Sequence, residues 1–146
     1  MADLFLNLKN KKYLPRNNST LIVLAAKAGR DNELSSVKEI GFDSNKLIDI
    51  QIENIGIDFG QKIVVLGQFS EMWNIEGYEI IINEFWESTS SGYSLSLALP
   101  HVTNQNDLWI LYADILFRKI DHNTIKKVGN LIFVDSCWNS RISGRK

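Results

Sequence analysis

The apolar positions of this chain gather into short runs that are separated by longer segments of mixed or polar character. Five of these runs have the length of strands, and they cover residues 21–26, 62–66, 78–82, 108–112 and 130–134. The run at 108–112 is unbroken, which is typical of a strand that is buried on both faces inside a parallel sheet. Gly67 and Asn83 directly follow two other runs, which predicts that those strands end there.

The segment 45–57 fits two patterns. Its isoleucines at 48, 50 and 52 alternate as in a strand, whereas the apolar residues at 47, 48, 52 and 55 lie along one face of a helix. We predict a helix, because a crossover connection is needed before the next strand and Gly56 stands where a helix would end. Shorter helices are predicted over 94–99, where Pro100 would end the helix, and over 120–128.

Strands that alternate with helices at this spacing predict an α/β fold, with a mostly parallel, Rossmann-like sheet and helices on both faces. Residues 1–19, a short apolar patch followed by a basic and polar stretch, are predicted to be an N-terminal arm, and residues 20–146 the domain. The carboxyl ends of parallel strands meet at one edge of the sheet, where ligands bind. That edge would gather the bend 26–30, Gly67, Asn83, Asp114 and Asp135.

Asp114 follows the apolar run 108–112 almost directly. At the carboxyl end of a strand, a carboxylate is placed to hold a divalent cation or a hydroxyl group of a ligand. The alternative is that Asp114 only caps a helix or stabilises a turn. The pattern of residues leaves both interpretations open.

Charge and composition argue against several classes of function. The 16 basic and 17 acidic residues leave a net charge of −1, so we expect neither nucleic acid nor a membrane as a partner. His101 and His122 each lack a second ligand at a suitable spacing, which argues against a zinc site. The single cysteine, Cys137, cannot form an internal disulfide, and no apolar run could span a membrane, so we expect a cytoplasmic protein.

Six segments of the chain follow one another in an order that is characteristic of one family. They are Leu24–Gly29, Asn45–Asn54, Ile63–Gly67, Asn83–Ala98, Tyr112–Phe117 and Val134–Trp138. In this order they resemble the sugar-nucleotidyltransferase-like family of the glycosyltransferase-A type fold, in particular its choline-phosphate and phosphonate cytidylyltransferases. The resemblance implies a sheet of the nucleotide-diphospho-sugar transferase type that is short at its C-terminus.

The resemblance also implies a reaction and a set of site residues. A nucleotidyl group would pass from CTP or another nucleoside triphosphate to a phosphate or phosphonate acceptor, for cell-surface polysaccharide or phosphonate biosynthesis. The catalytic contacts to the triphosphate would come from Arg30 and Lys38, and Asp114 would bind Mg²⁺. The nucleotide would contact Leu24, Ala25, Ala26, Gly29, Gly67 and Asn83, and the phosphorylated small molecule would contact Trp86, Tyr93 and Ser94.

Three departures from the family pattern lead to alternative interpretations. Lys27 stands where the family has a glycine, Val37–Lys38 where it has Pro-Lys, and the chain ends at Lys146, before the region that supplies a second metal carboxylate. One alternative is a catalytically inactive nucleotidyltransferase-like module for binding or assembly, and another is an α/β domain that shares only the fold. A sheet without its later strands would expose an apolar edge, so we also expect a homo-oligomer or a partner chain.

Overall fold

A parallel sheet forms the centre of the computed structural model, which describes residues 14–26, 44–68, 70–73, 75–103, 107–125 and 132. Its strands are β1 (Leu14–Ala25), β2 (Ile57–Leu66), β3 (Glu79–Ile82) and β4 (Asp107–Tyr112). They lie in the order β3-β2-β1-β4, and each pair of neighbours is parallel. The described part of the chain therefore has the α/β, Rossmann-like fold that the alternation of strands and helices predicted.

Helices cover both faces of this sheet. The helices are α1 (Ser44–Ile55), α2 (Ser91–Ala98) and the short α3 (His122–Ile125), and 3-10 turns occur at Ser70–Met72 and Leu99–His101. Ile48 and Ile55 of α1 belong to a buried cluster with Leu21, Val23, Ile57, Phe59, Val64 and Leu66. Ala98 of α2 belongs to a second cluster with Ile22, Leu24, Ala26, Ile63 and Val65. Because neighbouring residues of a strand point to opposite faces, the two clusters define an α1 face and an α2 face, as predicted.

The segment that fitted both a helix and a strand pattern is a helix, α1, over Ser44–Ile55. Ile48 is buried against the sheet, whereas the neighbouring Asp49 is exposed to solvent. Gly56 ends the helix in a left-handed conformation (φ +68°), and its N–H donates to the carbonyl of Ile52 at 2.9 Å. Glycine adopts this conformation without steric cost, so the predicted helix and its predicted end are confirmed.

The other two predicted helices differ from the structure in their bounds. The helix predicted over 94–99 begins three residues earlier, at Ser91, after an extended Ser90 (φ −97°, ψ 171°). Pro100 lies in the 3-10 turn Leu99–His101 that follows α2, so the predicted stop is confirmed. Within 120–128, the described helix is His122–Ile125. None of the helices in the described ranges is long and apolar enough to cross a membrane.

Strand β1 begins earlier than the sequence predicted. It starts at Leu14, which pairs with Ile57 of β2, so that residues 14–19 of the predicted arm belong to the sheet. The pairing with β2 shifts between Arg16 and Thr20. Asn17 and Asn18, which are turn formers in isolation, lie within this irregularity, where a sheet tolerates such residues.

Strand β4 is not buried on both faces, and that prediction is wrong. Leu108, Ile110 and Tyr112 are each more than two-fifths exposed, on the same face of the sheet as α2. The physical reason is position: among the described strands, β4 lies at an end of the order, next to β1 only. An outer strand keeps the apolar composition of a buried strand but is covered by fewer neighbours.

Candidate functional site

The carboxyl ends of β1 and β4 lie side by side. Leu24 pairs with Tyr112, and the Ala113 N–H donates to the Leu24 carbonyl at 3.1 Å. The hydrogen bond continues the β1–β4 ladder beyond the end of β4 and brings Asp114 to the edge where Ala26 follows β1. Asp114 and Ala26, the described residue of the predicted bend 26–30, therefore lie at the same edge.

Gly67 stands where the backbone is too crowded for a side chain. It follows β2, and the next residue, Gln68, donates its N–H to the carbonyl of Ala26 at 2.9 Å. A Cβ atom on Gly67 would lie 2.4 Å from the Ala26 carbonyl oxygen and 2.6 Å from Cβ of Trp86. Real Cβ atoms do not approach other heavy atoms this closely, so the contact between these three segments requires glycine.

Asn83, the residue that follows β3, is buried and organises the loop after it. Its side-chain Nδ2 donates to Oγ1 of Thr89 and to Oγ of Ser94, both at 3.0 Å. Its Oδ1 accepts from the Phe85 N–H at 3.0 Å, and its own N–H donates to the carbonyl of Leu66 at 2.7 Å. These bonds join β2, the 84–90 loop and α2. The side chains of Asn83 and Ser94 are buried and already paired. Their contacts with a ligand stay predictions.

Aromatic side chains surround this loop on the α2 face. Trp86 is partly buried, packs against the α2-face cluster and contacts Gly67, whereas Tyr93 is exposed. Tyr112 at the end of β4 forms a hydrogen bond through its hydroxyl with Oγ of Ser91 at 3.1 Å. The first turn of α2 is therefore tied to the end of β4, and Tyr93 is the more accessible of the two predicted aromatic contacts.

Asp114 lies in the turn after β4 and is exposed to solvent. Its side chain forms no hydrogen bond or ion pair with the rest of the described chain. Two amides of α1 hold the segment that carries it: Gln51 contacts the carbonyls of Tyr112 and Ile115, and Asn54 donates to the Phe117 carbonyl at 2.7 Å. Sequence reasoning missed both amides, and the available signal was a polar residue at position 51 among the apolar positions of one helical face.

A metal site at this edge would have few ligands from the described part of the chain. Within the described ranges, no three His, Cys, Asp or Glu side chains are grouped so that they could hold an ion together. The exposed oxygen atoms of Asp114 fit the ligand chemistry of Mg²⁺, which keeps several waters and is commonly bound through one or two carboxylates and substrate phosphates. Phosphate oxygens would therefore have to complete such a site.

Several predicted site residues lie outside the described ranges. They are Gly29, Arg30 and Lys38. Lys27, the last predicted strand at 130–134 except Ile132, Asp135 and the cysteine at 137 also lie outside these ranges. The predicted residues that the structure does bring together are Leu24, Ala25, Ala26, Gly67, Asn83, Trp86 and Asp114, all at the carboxyl ends of the strands. Tyr93 and Ser94 lie in the first turn of α2, beside the same edge.

Comparison with known proteins adds one structural likeness. No protein-family model matches the sequence, and a search of curated proteins finds no match. Among solved structures, the chain is similar to Rv0371c from Mycobacterium tuberculosis H37Rv, with 24% sequence identity and a TM-score of 0.45. The match covers 66% of this chain and 51% of that chain, so it spans about half the length of the Mycobacterium protein.

Proposed function

We propose that this chain is a nucleotidyltransferase-like protein that uses CTP or another nucleoside triphosphate and a phosphorylated or phosphonate-bearing small molecule. An acceptor oxygen attacks the α-phosphorus of the nucleotide. The bond from that phosphorus to the oxygen that bridges the α- and β-phosphates breaks, and pyrophosphate leaves. The product would serve the biosynthesis of a cell-surface polysaccharide or a phosphonate. The protein's part is to position two anionic reactants and to balance their charge.

The observation that carries the proposal is the approach of β1 and β4 at the carboxyl edge. The 3.1 Å bond from the Ala113 N–H to the Leu24 carbonyl places the small-residue end of β1 next to the turn with Asp114. Gly67 allows close backbone contact with Ala26 on the other side of β1. A backbone with small side chains beside an exposed carboxylate suits a nucleotide whose phosphates are accompanied by a cation.

Asp114 is the residue that would hold Mg²⁺. When bound, the ion would neutralise negative charge on the phosphate oxygens of the nucleotide. Trp86 and Tyr93 would contact the acceptor or the base from the α2 face, where Trp86 packs beside Gly67. Ala25 and Ala26 would offer backbone atoms to the nucleotide at the end of β1.

A titration with nucleoside triphosphates tests this proposal. CTP, UTP, ATP and GTP are added with and without Mg²⁺, binding is followed by calorimetry, and pyrophosphate release is assayed with a phosphorylated alcohol or a phosphonate. We expect Mg²⁺-dependent binding of at least one nucleotide and release of pyrophosphate that requires the acceptor. Absence of nucleotide binding at millimolar concentration would contradict the proposal.

The variant Asp114→Asn keeps the shape of the side chain and removes its charge. A unit charge near a cation at the protein surface contributes about 1–4 kcal/mol, so the affinity for the Mg²⁺–nucleotide complex should fall about tenfold or more. Asp58→Asn is the matched control, because Asp58 is also exposed but lies in the first part of β2, towards the opposite edge. An equal loss of affinity in the two variants would contradict the role of Asp114 in binding Mg²⁺.

The second candidate is a module of the same family that binds nucleotide without transferring it. It is favoured by the small number of possible metal ligands, since no metal-binding group of three or more side chains occurs in the described ranges. This alternative predicts Mg²⁺-dependent binding that Asp114→Asn weakens, without pyrophosphate release for any acceptor. The pyrophosphate assay therefore separates the two candidates.

Association with a second copy or a partner chain is part of the proposal. It is supported by the exposed apolar side chains of β4, among them Leu108 and Ile110. Analytical ultracentrifugation at micromolar concentration should show a dimer or a complex with the partner. Ile110→Lys, which places a charge on this surface, should return the chain to the monomer. A wild-type chain that sediments as a monomer would contradict association with itself.

A further inference from the structure

One side chain of α1 contacts both ends of the turn that carries Asp114. Gln51 of α1 is fully buried, and its Nε2 donates to the carbonyl of Tyr112 at 2.9 Å and also to the carbonyl of Ile115. These two carbonyls lie on either side of the dipeptide Ala113–Asp114. A single amide group therefore fixes both ends of the turn.

We propose that Gln51 is a positioning residue for Asp114. Its amide keeps the turn 112–115 in place, and this turn holds the Asp114 carboxylate beside the carboxyl end of β1. The inference rests on the proposed function in so far as Asp114 is taken to hold Mg²⁺. The structural part, that Gln51 orders the turn, can be measured without any nucleotide.

Core packing alone does not explain a glutamine at this position. Gln51 has no exposed surface, and its Oε1 has no hydrogen-bond partner among the described residues. Burial of an unpaired amide oxygen costs free energy that an apolar side chain of the same length would avoid. Because both partners of the amide are carbonyl oxygens, the nitrogen has to face them, which determines the orientation of the group. Glutamine therefore contributes the two N–H donors of its amide, which an apolar side chain of the same length lacks.

The remaining bonds of the turn are few. The Ala113 N–H donates to the Leu24 carbonyl at 3.1 Å, and the Ile115 N–H donates to the Tyr112 carbonyl at a long 3.4 Å. Without the amide of Gln51, the described chain would hold Asp114 mainly from the β1 side. A shift of about 1 Å in a first ligand is enough to weaken a metal site, which makes the second attachment important.

Asn54 provides a matched control, because it forms the same kind of attachment farther along the chain. Its Nδ2 donates to the Phe117 carbonyl at 2.7 Å, and the backbone carbonyl of Asn54 accepts from the Ile120 N–H at 2.9 Å. Both amides lie on α1 and both bind the segment after β4. Only the amide of Gln51 contacts residues that flank Asp114.

The test compares Gln51→Met with Asn54→Leu in the full chain. Amide hydrogen exchange is followed by NMR, and the affinity for CTP is measured with and without Mg²⁺. Gln51→Met should accelerate exchange at Ala113 and Ile115 and weaken Mg²⁺-dependent CTP binding about tenfold, the size of effect seen when the support of a metal ligand is removed. Binding without Mg²⁺ should not change. Asn54→Leu keeps the backbone bond from Ile120 and should leave exchange at Ala113 and Ile115 unchanged and both affinities within about twofold.

Two outcomes would overturn the proposal. One is unchanged exchange at Ala113 and Ile115 in Gln51→Met, and the other is an equal loss of Mg²⁺-dependent binding in both variants. If the wild-type chain binds no nucleotide, the proposed function fails, while the exchange data still decide whether Gln51 orders the turn. If Gln51→Met does not fold, the side-chain amide protons of Gln51 are observed in the wild type. Exchange as fast as in an exposed glutamine would reject the role, and slow exchange would support it.

Discussion

The two edges of the sheet use side-chain amides in different ways. At the amino edge, Oε1 of Gln61 accepts from Oγ1 of Thr20 and from N–H and Oγ1 of Thr103, each at 3.1 Å. Its Nε2 donates to the carbonyl of His101 at 2.8 Å, and His101 in turn contacts Glu79. In this network the polar groups bind one another and join the middle of β1 and β2, where β3 and β4 begin, to the segment after α2.

At the carboxyl edge, the amides hold loops whose ends stay accessible. Asn83 binds the backbone and side chains of the 84–90 loop and α2, and Gln51 binds the turn after β4. Tyr93 and Asp114 lie in the segments that these amides hold, and both side chains are exposed. The difference supports the proposed division, in which the amino edge serves the stability of the fold and the carboxyl edge presents groups to a ligand.

The largest effect is expected from Gly67→Ala at the carboxyl edge. The new Cβ would lie 2.4 Å from the Ala26 carbonyl oxygen, so β1 or the loop with Trp86 has to move. Overpacking of this kind costs about 3 kcal/mol, and nucleotide binding should be lost with it. Chemical denaturation and calorimetry measure the two effects.

Gly92→Ala is the control for this substitution. The nearest atom to a Cβ on Gly92 is Oγ of Ser90, at an ordinary 3.5 Å, and the residue is exposed in α2. Alanine is the better helix former, so stability should rise by about 0.5–1 kcal/mol. A Gly67→Ala variant as stable as Gly92→Ala would contradict the close packing described at this edge.

The comparison of the edges is tested directly by Asn83→Leu and Gln61→Leu. Each change removes a side-chain amide that takes part in several hydrogen bonds, so each should lower the free energy of unfolding by about 2–3 kcal/mol. Only Asn83→Leu should also weaken nucleotide binding when measured on folded protein, because only Asn83 supports the loop with Trp86. Weaker binding in Gln61→Leu of the same size would remove the distinction between the edges.

Tyr78→Phe should stabilise the amino half of the sheet. The Tyr78 hydroxyl is buried without a hydrogen-bond partner in the described chain, so its removal should raise the free energy of unfolding by about 1 kcal/mol at neutral pH. Lys62 Nζ lies 4.8 Å from the ring centroid, and that contact is available to phenylalanine as well.

The same variant has an alkaline signature. Burial, and secondarily the Asp49 carboxylate, raises the pKa of Tyr78 well above its ordinary value. The folded state thus favours the neutral hydroxyl, so this contribution to stability is complete below about pH 10, the pKa in the unfolded chain, and is lost as the pH rises further. The stability difference between Tyr78→Phe and wild type should therefore widen from pH 9 to pH 11. A constant difference over that range would contradict the assignment.

The smallest effect is expected from His101→Gln. Nδ1 of His101 lies 2.5 Å from Oε1 of Glu79, but both side chains are 45% exposed. Exposed pairs of this kind contribute about 0–1 kcal/mol, so the midpoint of denaturation should change little and nucleotide affinity should stay the same. If His101→Gln lowered the free energy of unfolding more than Gln61→Leu, the pair of His101 and Glu79, and not Gln61, would be the main stabilising contact of the amino edge.

The local pattern of residues was enough to predict much of the fold. Continuous apolar runs located the four described strands, and the helical face of 45–57 together with Gly56 located α1 and its end. Since parallel strands end at one edge, the same pattern predicted that Gly67, Asn83 and Asp114 lie at one edge, as they do. These features depend on neighbours a few residues apart, which is the range over which periodicity and turn formers act.

What the sequence by itself determined is therefore the class of fold and the edge at which the candidate site lies. Only the tertiary structure decided that β4 lies beside β1 with one face open, and that Leu14 already belongs to a strand. It also decided that Gln51 holds the turn with Asp114, through a bond that joins residues 61 positions apart. No local pattern contains these facts, because the burial and the partner of each group depend on which distant segments fold against it.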